Sequence, residues 1–168
     1  MGTPIETLVE LFLNRIEKDR DFFQYFNLSE SEAIMIARKR SDAYLNEALQ
    51  RMITEGKPSV DFTSIEGDCC EDRYFTFDLT PSELYLIPSL MYESYLSRDV
   101  AYLKTLSVNY TATDLRVFDP SNARSTFMNM YQFVHDQNSA LLDRYRNTDR
   151  NTNEYIGIDY AQYSAEEG

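Results

Sequence analysis

The run Thr80-Pro81-Ser82-Glu83-Leu84-Tyr85-Leu86-Ile87-Pro88 decides the class of fold, because it joins a helix start to an apolar helical stripe. The Thr, the Pro in the first helical position and the Glu form a capping box, which satisfies backbone N–H groups that the first turn leaves without partners. The apolar spacing behind the box predicts a helix to about Leu106. Pro88 is expected to kink or split this helix, because it lacks an N–H and its ring clashes one turn back.

Two further capping patterns lie upstream and predict two more helices. Thr3-Pro4-Ile5-Glu6, with its threonine as the cap, opens a helix over about residues 4–18. Ser29-Glu30-Ser31-Glu32 opens a second helix over about residues 30–55. Gly56 is expected to end that helix, because glycine readily adopts the left-handed conformation found after a helix end.

A fourth helix is predicted over about residues 122–147, with Ser121 as its cap. Apolar residues at three- and four-residue spacing predict its buried side. They are Phe127, Met130, Tyr131, Val134, Leu141, Leu142 and Tyr145.

The chain changes character between the second and third predicted helices. Val60-Asp61-Phe62 and Tyr74-Phe75-Thr76-Phe77 are rich in residues that favour strands, which predicts a small β-insert over about residues 57–79. The sequence therefore predicts a mostly α fold, a bundle of about four main helices with this β-insert. It divides into a helical domain over residues 1–150 and an extended C-terminal arm over residues 151–168.

The arm carries a strand-like alternation of large apolar residues that are costly to leave in water. We find no neighbouring sequence segment for it to pair with. It either pairs with the β-insert or adds to a sheet on another subunit, and we favour the second arrangement. The partner-binding residues predicted in the arm are Tyr155, Ile156, Ile158, Tyr160 and Tyr163.

The chain has 168 residues and a formal net charge of −12. This excess of acid argues against nucleic acid as the main ligand, because phosphate binding depends on clustered Lys and Arg. The charge either keeps the protein soluble, or forms a surface that repels a polyanion or docks on a basic partner.

The cysteines and the N-terminal residues bear on where the protein works. Cys69 and Cys70 are adjacent and too few for a disulfide framework, so we expect free thiols in a reducing cytoplasm. No apolar run approaches the roughly 18 residues of a membrane span. Glu6 and Glu10 stand where a signal peptide would carry Lys or Arg, so we expect neither a membrane nor secretion by that route.

The residues that usually carry chemistry form no recognisable site, and we expect no catalytic residue, cofactor or metal. His135 has Asp136 beside it, but consecutive helix positions do not face each other, so a structural or surface role is favoured. The cysteine pair lacks the spaced ligands of a zinc site. The acidic loop over residues 66–72 lacks the alternating carboxylates of a calcium loop.

The basic residues offer one candidate docking patch, Arg38-Lys39-Arg40 on the second predicted helix. It either pairs along the helix with acids such as Asp42 and Glu47, or docks an acidic partner. Three arginines near the end of the last helix suit the negative end of its dipole and are expected to need no partner. They are Arg144, Arg146 and Arg150.

Six short motifs between Phe77 and Tyr163 carry a resemblance to a known family, and the similarity spans most of the chain from about residue 20. They are Phe77-Asp78-Leu79-Thr80-Pro81-Ser82-Glu83, Leu90-Met91-Tyr92-Glu93, Ser107-Val108-Asn109-Tyr110, Thr113-Asp114-Leu115-Arg116-Val117-Phe118 with Pro120, Thr126-Phe127-Met128 and Tyr160-Ala161-Gln162-Tyr163. In these motifs the sequence resembles small virion proteins of tailed bacteriophages of Gram-positive hosts. Its helical plan with a projecting arm looks like the head–tail connectors, also called adaptor or head-completion proteins.

The resemblance implies a structural virion protein in the neck, assembled in the bacterial cytoplasm. Such proteins form a ring of about twelve copies on the portal protein, with heterologous contacts that close on themselves. A downstream neck or tail protein would bind the other side, and DNA would pass through without specific binding. An acidic channel wall would repel the duplex, which agrees with the net charge of −12.

Two other functions stay open at this point. The chain could be a stopper or tail-completion protein at the same neck, which contact with the portal would distinguish. It could also be an acidic regulator or DNA mimic that binds a basic host protein, in which case it should be a monomer or dimer. An enzyme is disfavoured, and a deep pocket with perturbed carboxylates near His135 would revive it.

Overall fold

The computed structural model describes residues 2–16, 29–67, 72–109 and 120–156, and this part of the chain is mostly helical with one small two-stranded sheet. It confirms the predicted mostly α bundle with a small β-insert. The elements are α1 (Ile5–Arg15), α2 (Glu30–Arg51), β1 (Ile65–Glu66), β2 (Tyr74–Phe75), α3 (Pro81–Asn109) and α4 (Pro120–Arg146).

Helix α1 begins at Ile5 without the predicted cap, because Thr3 bonds to the β-insert instead. The Thr3 hydroxyl accepts from the backbone N–H of Leu79 at 2.8 Å. The backbone carbonyl of Thr3 accepts a hydrogen bond from the N–H of Phe75 at 2.9 Å, so the segment before α1 lies along β2. The prediction that Thr3 caps the helix is wrong, and Pro4 occupies the cap position with no side-chain bond.

Helix α2 begins as predicted and ends differently. Ser29 and Glu32 form the reciprocal capping box, with the Ser29 N–H donating to Glu32 at 2.9 Å. The helix continues as a π turn that ends at Gly56, and the left-handed residue is Lys57, with φ of 45°. Gly56 is buried instead, and a Cβ there would lie 3.4 Å from the side chain of Leu142. Gly56 therefore packs against α4 and does not adopt the left-handed conformation.

Helix α3 confirms its capping box and continues through its internal proline. The Thr80 N–H donates to Glu83 at 2.8 Å, and the Glu83 N–H donates to the Thr80 hydroxyl at 3.3 Å. Pro88 does not split the helix, because buried neighbours such as Ile87 and Leu90 hold both halves in the core. The helix reaches Asn109, beyond its predicted end.

The β-insert is smaller than predicted. Strands β1 and β2 pair antiparallel with Ile65 opposite Phe75. Val60-Asp61-Phe62 is not a strand. Phe62 packs edge-on against Phe75 and Phe77, with ring centroids 5.8 and 5.4 Å apart, so this segment contributes an aromatic core residue.

The core lies where α1, α2 and α3 meet, and α4 packs on α3 and on the π turn. Along α4 the predicted buried side holds for Leu142, which is 2% exposed, whereas Met130 is 38% exposed and its predicted burial is wrong. The partly buried residues of α4 that pack on the core are Phe127, Tyr131, Val134, Leu141 and Tyr145. Met130 lies at the edge of this stripe and is not among the residues that pack on the core.

Candidate functional site

Helix α3 carries two buried carboxylates, Glu83 and Glu93, which are 0% and 4% exposed. Ten residues of helix separate them, about 15 Å along the axis, so they belong to two different clusters. The sequence predicted only a capping role for Glu83 and no physical role for Glu93. Buried acids are rare unless they are paired, so each cluster requires an account of its partners.

Four donors surround Glu83. Oε1 accepts from the Tyr145 hydroxyl at 2.6 Å and from Arg150 Nε at 2.8 Å. Oε2 accepts from Arg150 Nη2 at 3.0 Å and from the Thr80 N–H at 2.8 Å. Burial alone would raise the pKa of Glu83, but these donors outweigh it and hold the pKa below its ordinary value. The carboxylate is therefore ionised and saturated with hydrogen bonds.

Arg150 makes three kinds of contact, which contradicts the prediction that it needs no partner. Besides Glu83, it donates to the Asp78 carbonyl at 2.6 Å and lies 5.3 Å from the centroid of the Phe77 ring. A guanidinium can bind a carboxylate with two parallel bonds and stack on a ring at once, which lysine cannot do. The side chain therefore fastens the segment after α4 to the start of α3.

The second cluster joins three helices around Glu93. Arg51 of α2 lies 2.5 Å from Glu93 Oε1, and His135 Nδ1 of α4 lies 2.7 Å from the same oxygen. Asn138 of α4 donates to Oε2 at 2.7 Å and to the Ser89 carbonyl at 3.0 Å. The Ser89 hydroxyl donates to the Asn138 side-chain oxygen at 2.7 Å, which completes the network.

This network accounts for the single histidine. Burial would raise the pKa of Glu93, but the bonds from Asn138, His135 and Arg51 hold it below its ordinary value. Because an ionised carboxylate only accepts, Nδ1 of His135 carries the hydrogen that it donates. The orienting carboxylate comes from another helix, so inspection of Asp136 could not have found it.

The contacts of the two clusters give them a structural role. Neither carboxylate can serve as a general acid while its pKa is held low. Within the described ranges, no group of three or more His, Cys, Asp or Glu side chains could hold a metal ion. The clusters tie helices together, and their partners are side chains of this chain.

A short hairpin over residues 147–156, here called the C-terminal hairpin, follows α4. Thr148 and Tyr155 form an antiparallel bridge, and the Ile156 N–H donates to the Asn147 carbonyl at 2.8 Å. The sequence predicted that this segment has no neighbour to pair with, and for these residues that prediction is wrong. The side chains of Tyr155 and Ile156 are nonetheless 73% and 63% exposed.

A groove of about 320 Å³ lies between the start of α3 and the end of α4, here called the α3–α4 groove. Tyr85 contributes an aromatic wall and is 51% exposed. Thr148 and Asn153 of the C-terminal hairpin also line the groove. The full lining is Pro81, Ser82, Tyr85, Leu86, Leu141, Arg144, Tyr145, Thr148 and Asn153.

Exposed apolar side chains also occur along two helices. On α4, Met128, Met130 and Phe133 are 41%, 38% and 68% exposed. On α2, Ile34 and Met35 are 44% and 68% exposed. Clusters of exposed apolar residues are typical of surfaces that contact other proteins.

Part of the candidate docking patch, residues 38–40, forms contacts within the chain. Arg38 binds Glu6 of α1 at 2.8 Å, so its guanidinium ties α2 to α1. Asp42, which the sequence offered as a partner along the helix, binds Arg73 instead. Lys39 is exposed.

Several predicted features lie outside the described residues. These are the cysteine pair Cys69 and Cys70, and the arm residues Ile158, Tyr160 and Tyr163.

No helix in the described parts of the chain combines the length and the apolar character that crossing a bilayer requires. Comparison with protein-family models, with curated proteins and with solved structures gave no match. The function is therefore inferred from the chain's own residues and from the sequence resemblance given above.

Proposed function

We propose that this protein is a non-enzymatic structural subunit of a tailed phage, which forms a ring on the portal and connects head to tail. The ring extends the DNA channel in the neck of the virion. Its partners are its own copies, the portal protein and a downstream neck or tail protein.

This proposal rests on two exposed apolar side chains of the C-terminal hairpin, which is itself attached firmly to the helices. Tyr155 and Ile156 are 73% and 63% exposed. The hairpin that presents them is held by Arg150, which binds Glu83 at 2.8 Å and 3.0 Å. A segment with rigid attachment and apolar side chains in water supports a contact with another molecule, because that contact would remove the apolar surface from water.

The exposed apolar residues of α4 support the same proposal. Phe133 is 68% exposed, and Met128 and Met130 lie on the same helix with about two-fifths of their area in water. Met130 and Phe133 are three residues apart on one side of α4, and in a ring that side would pack against a neighbouring copy. Each contact can be modest in area, because closure of the ring engages every subunit twice.

The net charge of −12 supports the channel role. An acidic wall repels the phosphate backbone, so DNA can slide past without adhering. A chain that gripped DNA would need clustered Lys and Arg instead.

The test is to measure the mass of the purified protein in solution, alone and mixed with the portal protein. We expect a closed homo-oligomer with the portal, of one defined mass. A copy truncated after Ile156 keeps the C-terminal hairpin and Arg150, so it should stay folded by circular dichroism and fail to assemble. Normal assembly of the truncated copy would refute the role of residues 157–168.

The same measurement separates the other functions. Binding to a neck complex without contact to the portal would indicate a stopper or tail-completion protein. A monomer or dimer that ignores the portal and binds a basic host protein would indicate an acidic regulator, and the connector proposal would be wrong.

A further inference from the structure

The α3–α4 groove has an aromatic and apolar floor with a cationic edge. Tyr85 and Leu86 come from α3, and Leu141 and Tyr145 come from α4. Its volume of about 320 Å³ is large enough for one or two aromatic side chains of a bound segment. The groove therefore fits a short peptide with tyrosine or isoleucine side chains.

The charge of the groove is opposite to that of the chain as a whole. Among the described residues that line it, Arg144 is charged and no acid is present, although the chain holds 28 acids in 168 residues. Arg15 of α1 lies beside it, 5.0 Å from the centroid of the Tyr85 ring. The preferred ligand is therefore an acidic segment.

The segment over residues 157–168 has both properties. It carries three acids and no Lys or Arg, so its charge complements Arg144 and Arg15. Its apolar residues are Ile158, Tyr160 and Tyr163, and its acids are Asp159, Glu166 and Glu167.

We propose that the α3–α4 groove binds residues 157–168 of a second copy of this chain. This inference rests on the proposed ring, and it names the surface that receives the arm. Twelve residues extend to about 40 Å at most, which is enough to cross onto a neighbouring subunit.

The last residues that the structure describes before this segment favour a second copy as the donor. Tyr155 and Ile156 lead into the segment, yet neither is among the residues that line the groove. They run back along residues 147–148, with their side chains toward water. We therefore assign the segment in the groove to a neighbouring copy.

The first test changes the groove and leaves the arm intact. Arg144→Glu reverses the cation, and Tyr85→Ser removes the exposed aromatic wall. Each should weaken self-association by at least about tenfold in sedimentation equilibrium. The matched control is Arg146→Glu, because Arg146 is an exposed arginine in the same turn that does not line the groove. Equal effects in variant and control would overturn the proposal.

The second test mixes two defective copies. A copy truncated after Ile156 has the groove without the arm, and the Arg144→Glu, Tyr85→Ser copy has the arm without the groove. We expect each to be a monomer alone and the mixture to form a one-to-one dimer, because only that pairing joins an intact arm to an intact groove. Absence of the dimer would overturn the proposal and would indicate that the arm binds within its own chain or on the portal.

A charge exchange tests the polarity of the contact. Glu166→Arg with Glu167→Arg, placed in the Arg144→Glu chain, should restore most of the lost association. If truncation abolishes ring formation while the groove variants assemble like the native chain, the connector function stands and the groove assignment is wrong. If the native chain never assembles, even with the portal, both proposals are wrong.

Discussion

At the scale of single residues, the buried charges of α3 determine how the helices hold together. Glu93 keeps its charge because Arg51, His135 and Asn138 all bind it. Removal of one partner from a buried ion pair lowers the stability strongly, because the other charge then stays buried without a partner.

Arg51→Met tests that cost. It removes the cation and leaves Glu93 buried, so we expect the free energy of unfolding to fall by about 3 kcal/mol. Urea denaturation measures the change. Arg146→Met is the control, because it breaks an exposed pair with Asp143 and should lose about 0–1 kcal/mol. A similar loss in both variants would contradict the structural role of the Glu93 cluster.

The acid dependence of stability follows from the two lowered pKa values. Glu83 and Glu93 have pKa values below 4.5 in the folded chain, so the unfolded chain takes up protons first as the pH falls. Their contribution is complete above the unfolded pKa and is lost as the pH drops through the folded values. We expect the free energy of unfolding to decrease from about pH 5 to about pH 3.

The variant Glu93→Gln checks the origin of this decrease. It should be less stable than the native chain at neutral pH and should lose less stability on acidification, because one of the two titrating carboxylates is gone. An identical slope of stability against pH in both proteins would assign the decrease to other groups.

At the scale of elements, the end of α2 carries identifiable strain. Lys57 adopts φ of 45°, a left-handed conformation that glycine takes without steric cost. Lys57→Gly should therefore raise the free energy of unfolding by about 0.5–1 kcal/mol. The control is Lys39→Gly, at an exposed position inside α2, which should lower it by about 1 kcal/mol. Both remove one lysine charge, so a shared sign in thermal denaturation would rule out the conformational explanation.

The elements themselves could be predicted because their signals are local. Ser29 and Glu32 lie three residues apart, and their capping box forms as the sequence indicates. Predictions failed where a residue distant in the sequence contacts the residue to which the local pattern gave another role. Thr3 binds Leu79 instead of capping α1, and Gly56 packs on Leu142 instead of adopting the left-handed conformation.

The candidate site was harder to predict for the same reason. The bond from His135 to Glu93 spans 42 residues, and the bond from Arg150 to Glu83 spans 67. No spacing rule along a helix relates residues that far apart, so only the packing of α3 on α4 could reveal them. The arm beyond Ile156 stays a prediction, and its described beginning pairs with residues 147–148, which the sequence did not predict.

At the scale of the whole molecule, the proposed function predicts which residues are dispensable for assembly. His135→Gln removes one bond to Glu93, whose carboxylate keeps Arg51 and Asn138. We expect a loss of about 1 kcal/mol in stability and normal virion assembly. Cys69→Ser with Cys70→Ser should also assemble normally. Loss of infectivity from a folded variant, measured by plaque counts, would point to a chemical role instead.

The attachment of the C-terminal hairpin has a mechanical consequence. Arg150 joins residues 147–156 to Asp78 and Glu83, about seventy positions earlier in the chain. A pull on Tyr155 would therefore load the first turn of α3, through the buried Glu83, as well as the last turn of α4. The force would be shared between two helices, so the hairpin should resist detachment from the bundle.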